Sequence, residues 1–304
     1  MKLKAFTPFH SNLAAFVHSK PILENLVTPP TAGQTGSIGF QEPGRGYSPM
    51  TFSDDHILLC VEMQDRMLPG PIVKKRVEEL ADEVERTTYR KVGKKQRAEL
   101  KEQATEELLP KAFIKTTQVH VTLFRKEPLL LVWSTSSKRV DQVLTLLAKI
   151  GGPDMRIDAI QTKQAPSVAL TAFVRDSGVQ GEGLLQNLMP CRDVLIHNGD
   201  GAKIRTTNVS TEASSVQAPI THLGYDVSEV AIATKDEVTF TLTDNLCFKK
   251  FDIGTAMTAR ELTSKDDGAL EAIAWLSATE AQRALGYVLE MMGGVATAAD
   301  EGGL

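Results

Sequence analysis

Residues 86–115 read RTTYRKVGKKQRAELKEQATEELLPKAFIK, and Arg90, Lys91, Lys94, Lys95 and Arg97 crowd into eight consecutive positions of it. Lysine and arginine at this density neutralise phosphate oxygens and release the counterions condensed on a polyanion, without needing any contact to bases. Lys101, Lys111 and Lys115 extend the run. From Arg86 to Lys126 there are eleven basic residues against four glutamates, a local charge of +7. The whole chain carries −4, so the remaining residues hold −11. Such asymmetry fits a polyanion site on an acidic scaffold. The competing reading is a solvated helix face on which Glu99 and Glu102 pair with Lys95 and its neighbours at helical spacing. Tyr89 and Phe113 are the only aromatics in the stretch. Contact with a duplex backbone is therefore favoured over stacking on single strands.

Other constellations lack a component. There is no GxxxxGK[ST], and GQTGSIG at 33–39 is not GxGxxG, so it reads as a flexible turn. GYSPM at 46–50 lacks the second glycine of a nucleophile elbow. The six histidines (10, 18, 56, 120, 197 and 222) show no zinc spacing. Asp54, Asp55 and Glu62 could hold Mg²⁺ for phosphodiester hydrolysis, but Gln64 stands where metal nucleases usually place a lysine. An exposed strand end is the reading adopted for them. Cys60, Cys191 and Cys247 form no CxxC pair or disulfide framework and read as buried apolar residues in a reducing cytoplasm. No catalytic residue, metal or cofactor is expected, and function is assigned to binding.

The elements around the basic run must position it. Pro71 suits a first helical turn, and Val73, Val77, Leu80 and Val84 fall on one stripe. The pattern breaks at Tyr89–Gly93. A second helix starts near Lys94, carries Leu100, Ala104 and Leu108, and stops at Pro110. Two helices with a short turn make a hairpin, each with a narrow apolar stripe, so the pair is expected to project from the body. Strands are expected at 56–63, 117–124 and 128–134. Beyond them lie a helix over 136–150 through Val140, Val143, Leu144 and Leu147, short helices at 166–175 and 182–189, and a β-meander from about 227. A final helix is expected from a Ser277 capping box to Gly293-Gly294, followed by a frayed tail.

At 304 residues the chain has room for two domains, and its 42% apolar and 24% charged residues are ordinary for a globular protein. No apolar run approaches ~18 residues, and the N-terminus has no long apolar core, so neither a membrane span nor a signal peptide is expected.

The segment LPGPIVKKRVEELADEVE to YRKVGKKQRAELKEQATEELLPKAF, with PLLLVWSTSSK and VDQVLTLLAKIGG after it, resembles the RdgC family of bacterial recombination-associated proteins. The likeness is close from about Leu68 to Gly152 and fainter to EMMGG. It implies an α+β, horseshoe-shaped protomer with mixed sheets. Residues 1–68 and 116–165 would form its centre, the hairpin at 69–115 its tip, and 166–304 its base. It further implies a non-enzymatic, ring-shaped homodimer that encircles duplex DNA without sequence preference and impedes RecA-dependent recombination on the nucleoid. On this resemblance Arg90, Lys91, Lys94, Arg97, Lys101 and Lys111 are DNA contacts. Phe113 is the aromatic that docks on the partner at the tip, where the residues alone leave a core Phe equally open. In the base, Lys203-Ile204-Arg205-Thr206-Thr207-Asn208 replaces a more lysine-rich segment, leaving Lys203 and Arg205 as phosphate contacts. A protein-interaction module that docks the basic hairpin on an acidic partner is the alternative.

Overall fold

The computed structural model describes residues 3–41, 50–176, 187–254 and 269–296. The chain divides into two units: Met1–Val17 with Thr51–Leu58 and His120–Leu304, and His18–Met50 with Leu59–Val119. The fold is α+β. Two long strands, β4 (His56–Met67) and β5 (Phe113–Phe124), contribute residues to both units.

In the first unit β6 (Leu129–Val132) pairs antiparallel with the end of β5 and with β1 (Thr7–Ser11). The run at 128–134 is continuously apolar because β6 is central, and all four of its residues are buried. β7 (Ile157–Ala159) adds to the other side of β1. A second sheet has the order β12-β11-β10-β8-β9. Its strands are β8 (Leu188–His197), β9 (Lys203–Thr206), β10 (Asp226–Thr234), β11 (Thr239–Thr243) and β12 (Phe248–Asp252). The last three are the expected meander, with Val238, Phe240 and Leu242 turned inward. Helices α4 (Ser137–Gly151), α5 (Pro166–Arg175), α6 (Ser214–Leu223) and α7 (Ala269–Met291) complete the unit.

One aromatic junction ties the two sheets of this unit together. The backbones of Phe6 and Phe248 exchange two hydrogen bonds of 2.9 Å. Their rings stack with centroids 4.4 Å apart, and Trp133 and Phe251 meet Phe6 edge-on at 5.2 and 5.3 Å. Trp133 Nε1 is satisfied inside by Thr122 Oγ1 at 2.9 Å. Such edge-on and stacked pairs add to the burial of large apolar rings.

Several sequence expectations change in the structure. Ser277 is not a cap: it lies within α7, and its hydroxyl donates to Ile273 O at 2.7 Å. On α4 the fourth buried position is Leu146 rather than Leu144. Of the proposed helix at 182–189, residues 188 and 189 open strand β8, and 182–186 lie outside the described residues, as does the tail from 297. Only Cys60 is a buried cysteine, its Sγ bonded to Gln41 Oε1 at 2.9 Å and its thiol pushed up to about 12 by burial, with Glu62 adding to the effect. Cys191 and Cys247 are half-buried.

In the second unit Gly33 lies in a turn, as expected, whereas Gly36 and Gly39 belong to the strand that follows it. β2 (Gly36–Phe40) pairs antiparallel with β4, from Gly36↔Asp65 to Phe40↔Val61. The chain leaving α1 (Ser19–Glu24) lies against it, with Val27 N–H donating to Phe40 O at 2.8 Å. A Cβ at Gly39 would stand 2.5 Å from Val27 N, and one at Gly36 would stand 2.8 Å from Gln64 O. These glycines serve close backbone approach.

Phe6 is fully buried at the junction. Phe6→Ala is expected to lower unfolding free energy by about 3–5 kcal/mol in urea titrations. Leu23→Ala, at a position 47% exposed, should change it by less than ~0.5 kcal/mol.

Candidate nucleic-acid interface

The basic run is carried by two helices of the second unit, α2 (Gly70–Thr88) and α3 (Lys94–Leu108). Pro71 sits in the first turn of α2, where a missing N–H removes no intrahelical bond. Each helix is charged nearly all round and buries one thin stripe. Val73, Leu80 and Ala81 meet Leu100, Ala104 and the loop residue Val92, and Leu68, Val77, Val84 and Leu108 pack on their margin. Arg76 braces the pair by donating Nε and Nη2 to Glu107 Oε2 at 2.9 and 2.8 Å. This two-pronged contact holds the Glu107 carboxyl below its usual range, with Gln103 and nearby Lys111 assisting.

Both ends of the hairpin are fixed by single side chains. At the far end Glu85 accepts two backbone N–H groups, that of Tyr89 on its carbonyl at 2.9 Å and that of Val92 on Oε1 at 2.9 Å. At the near end Pro110 stops α3, and a 3₁₀ turn over Leu109–Lys111 leads into β5. Arg66 on β4 caps the carbonyls left there. Its Nη1 donates to Leu109 O and Pro110 O at 3.0 and 3.1 Å, and its Nη2 to Pro30 O at 2.9 Å.

Arg90, Lys91, Lys94, Lys95, Arg97, Lys101, Lys111 and Lys115 are all exposed, and among the described residues none forms an ion pair. The helical pairs expected of Glu99 and Glu102 with Lys95 are not made. Lys94, Lys95 and Arg97 open α3, whose first turn has no acidic residue and whose cap, Gly93, offers no side chain. Cations at that end oppose the helix macrodipole, which leaves four N–H groups and about half a positive charge there. The local sequence works against the helix it builds, and the same arrangement attracts an anion.

Arg97 and Lys101 also face a cavity of about 620 Å³. Leu68, Val73, Val77 and Leu109 make its apolar wall, and Arg66 and Lys74 add two further cations. Lys74 was outside the basic window read from the sequence. Its spacing within α2 gives no hint of the cavity, which forms only when the helices pack. Phe113 is not a core residue: it is 87% exposed at the start of β5, beside the exposed Ile114 and between Lys111 and Lys115.

Lys203 and Arg205 belong to the first unit, on strand β9 at the edge of the five-stranded sheet. Lys203 is exposed, whereas Arg205 is engaged by Glu229 Oε2 at 3.1 Å, and Glu229 also binds Lys249 at 2.7 Å. Two of the three carboxylates considered for a metal, Asp55 and Glu62, have other partners. Asp55 is ion-paired with Lys126, which holds its carboxyl below the ordinary range. Glu62 is buried and accepts from Gln64 Nε2 at 2.8 Å. Among the described residues no three His, Cys, Asp or Glu side chains converge as a metal site.

A family model described as "Putative exonuclease, RdgC" matches residues 17–295. The chain belongs to the RdgC family. Its relatives include the recombination-associated protein RdgC of Pseudomonas aeruginosa, 28% identical over 252 residues that cover 82% of this chain and 80% of that one. The proteins of the same name in Pseudomonas syringae pv. syringae and Pseudomonas fluorescens are 27% and 26% identical, over 81% and 84% of this chain and 79% and 81% of theirs. The hairpin therefore sits well inside the stretch that matches the family model. Among the described residues no helix is long and apolar enough to cross a membrane.

The opposition between charge and dipole at the start of α3 is measurable. Replacing Lys94 and Lys95 with Glu should raise stability by about 1 kcal/mol at low salt, since acidic residues are favoured there. The gain should shrink near 1 M salt, where the screening length is about 3 Å.

Proposed function

We propose that this protein binds double-stranded DNA through phosphate contacts without sequence preference, as a ring-shaped dimer of horseshoe protomers that encircles the duplex. It acts in recombination by occupying DNA that RecA would otherwise use, which assigns its work to the nucleoid. The observation that carries the reading is the group of exposed, unpaired cations at the positive end of α3. A polyanion relieves that local conflict more fully than dilute counterions around a solvated surface do. The recombination-associated name of the relatives supports the process. Arg90, Lys91, Lys94, Lys95, Arg97 and Lys101 act as tip contacts, with Lys111 and Lys115 beside them and Lys203 and Arg205 as base contacts. Arg205 must share itself with Glu229, so its part is the smaller.

The role is read as binding rather than hydrolysis, although the family description includes exonuclease. Asp55 and Glu62 are already occupied by Lys126 and Gln64. Fluorescence anisotropy on unrelated duplexes should give similar affinities that fall steeply with salt, by roughly −0.9 in log–log slope per phosphate neutralised. Lys94→Glu, Lys95→Glu and Arg97→Glu together should weaken every duplex alike, and DNA recovered after incubation with Mg²⁺ should be full length. Salt-independent binding, strong preference for one sequence, or shortened DNA would overturn the reading.

Dimerisation is supported by surface chemistry in the second unit. Phe113 is an exposed ring, and the cavity beside α2 and α3 presents an apolar wall of comparable character. A two-fold axis would let each Phe113 enter the partner's cavity, the self-complementary pattern of isologous contacts. Because the ring is exposed in one chain, Phe113→Ala should leave unfolding within ~0.5 kcal/mol of the parent. It should nevertheless shift sedimentation toward monomer and abolish retention on closed circular DNA relative to linear DNA of equal length.

The same cavity also favours a second reading, in which its cationic rim and apolar wall hold an acidic protein segment. Weak duplex binding together with tight capture of an acidic amphipathic peptide would select that reading.

A further inference from the structure

We propose that Tyr89 is a stacking platform for an unpaired base in DNA. It stands at the turn of the α2–α3 hairpin, and the inference rests on the DNA-binding reading above. Its backbone is left-handed, with φ 55° and ψ 24°, at the position that ends α2. Glycine or asparagine is the usual occupant of such a site, because a Cβ crowds the neighbouring carbonyl. Tyrosine gains the helix nothing there that glycine would not supply. Nor does its ring contribute to packing: the residue is 93% exposed, and Val92, three positions on, fills the hairpin core instead. Among the described residues its hydroxyl has no hydrogen-bond partner.

Two hydrogen bonds pin the backbone on which this ring is mounted, and the residues that follow it are mostly basic. Glu85 holds the N–H groups of Tyr89 and Val92, both at 2.9 Å, so the loop between the helices is pinned on either side of the ring's neighbours. Arg90 and Lys91 follow directly, and Lys94 and Lys95 open the next helix, all exposed and none in an ion pair. An aromatic face among phosphate-binding cations is the combination that holds single-stranded nucleic acid, the cations tracking the backbone and the ring taking a base. Bases inside an intact duplex already stack on one another. The ring can therefore engage only a base whose neighbour is missing or displaced, as at a gap, a bulge or a frayed end. The turn thereby distinguishes interrupted from continuous duplex, on top of a contact that reads neither sequence nor structure.

The test uses the full chain and two DNAs, a continuous duplex and the same duplex with one bulged 2-aminopurine. Wild-type protein should bind the bulged DNA roughly 10-fold more tightly and quench the 2-aminopurine, within the range of base–aromatic stacking. Tyr89→Ala and Tyr89→Gly should remove both effects and leave affinity for the continuous duplex unchanged, while Tyr89→Phe keeps them. Glycine suits the left-handed backbone, so its loss of preference cannot be blamed on a collapsed turn. Equal preference in wild type and Tyr89→Ala, with continuous-duplex binding intact, overturns the proposal alone. Binding confined to bulged DNA and dependent on Tyr89 overturns the duplex-coating reading and leaves this one standing. Binding to neither DNA overturns both.

Discussion

The arrangement of the second unit depends on Arg66. Pro110 ends α3, and Leu109 O then accepts Ala112 N–H at 3.1 Å, while the Arg66 guanidinium takes Leu109 O, Pro110 O and Pro30 O at once. A single cation on a strand thus fixes where the hairpin ends, and with it the direction in which Lys111 and Phe113 leave the turn. Without that clamp the stripe between α2 and α3 would still hold the helices to each other. It would not hold them in register with β4.

The hairpin shows where stability has been set aside. Its core is a single thin stripe, its exposed faces are charged, and the first turn of α3 puts cations where the helix wants anions. Tyr89 adds a left-handed backbone where glycine would be easier. Conflicts of this kind concentrate at sites kept for a partner, and in the hairpin the misplaced cations and the left-handed tyrosine fall between residues 89 and 97. The acidic remainder of the chain keeps the protein's overall charge modest while the turn stays strongly basic.

Much of this was legible in the sequence because it is periodic or punctuated. The stripes Val73–Val84 and Leu100–Leu108, Pro71, Gly93 and Pro110 delimit the hairpin to within a residue or two, and the apolar run at 128–134 announces a central strand. What depends on chain segments meeting was not legible. Gly36 and Gly39 look like a loop because their requirement comes from Gln64 and Val27, distant in sequence. Ser277 resembles a cap because the helix turns before it carry no stronger signal. Phe113 could have been core or surface, since an aromatic after a helix stop suits either. Glu99 and Glu102 have the right spacing for ion pairs, yet long exposed side chains gain little by ordering themselves, and the pairs do not form.

The Phe6–Phe248 junction bears on how the chain folds. Thr7 and Cys247, beside it in β1 and just before β12, touch across 240 residues of sequence. The first unit therefore cannot close its core until β12 has left the ribosome, and it depends on contacts of high sequence separation that form slowly. The second unit draws on residues 18–50 and 59–119 alone. Its hairpin is local in sequence, so the basic turn is available to fold while most of the first unit is still being synthesised.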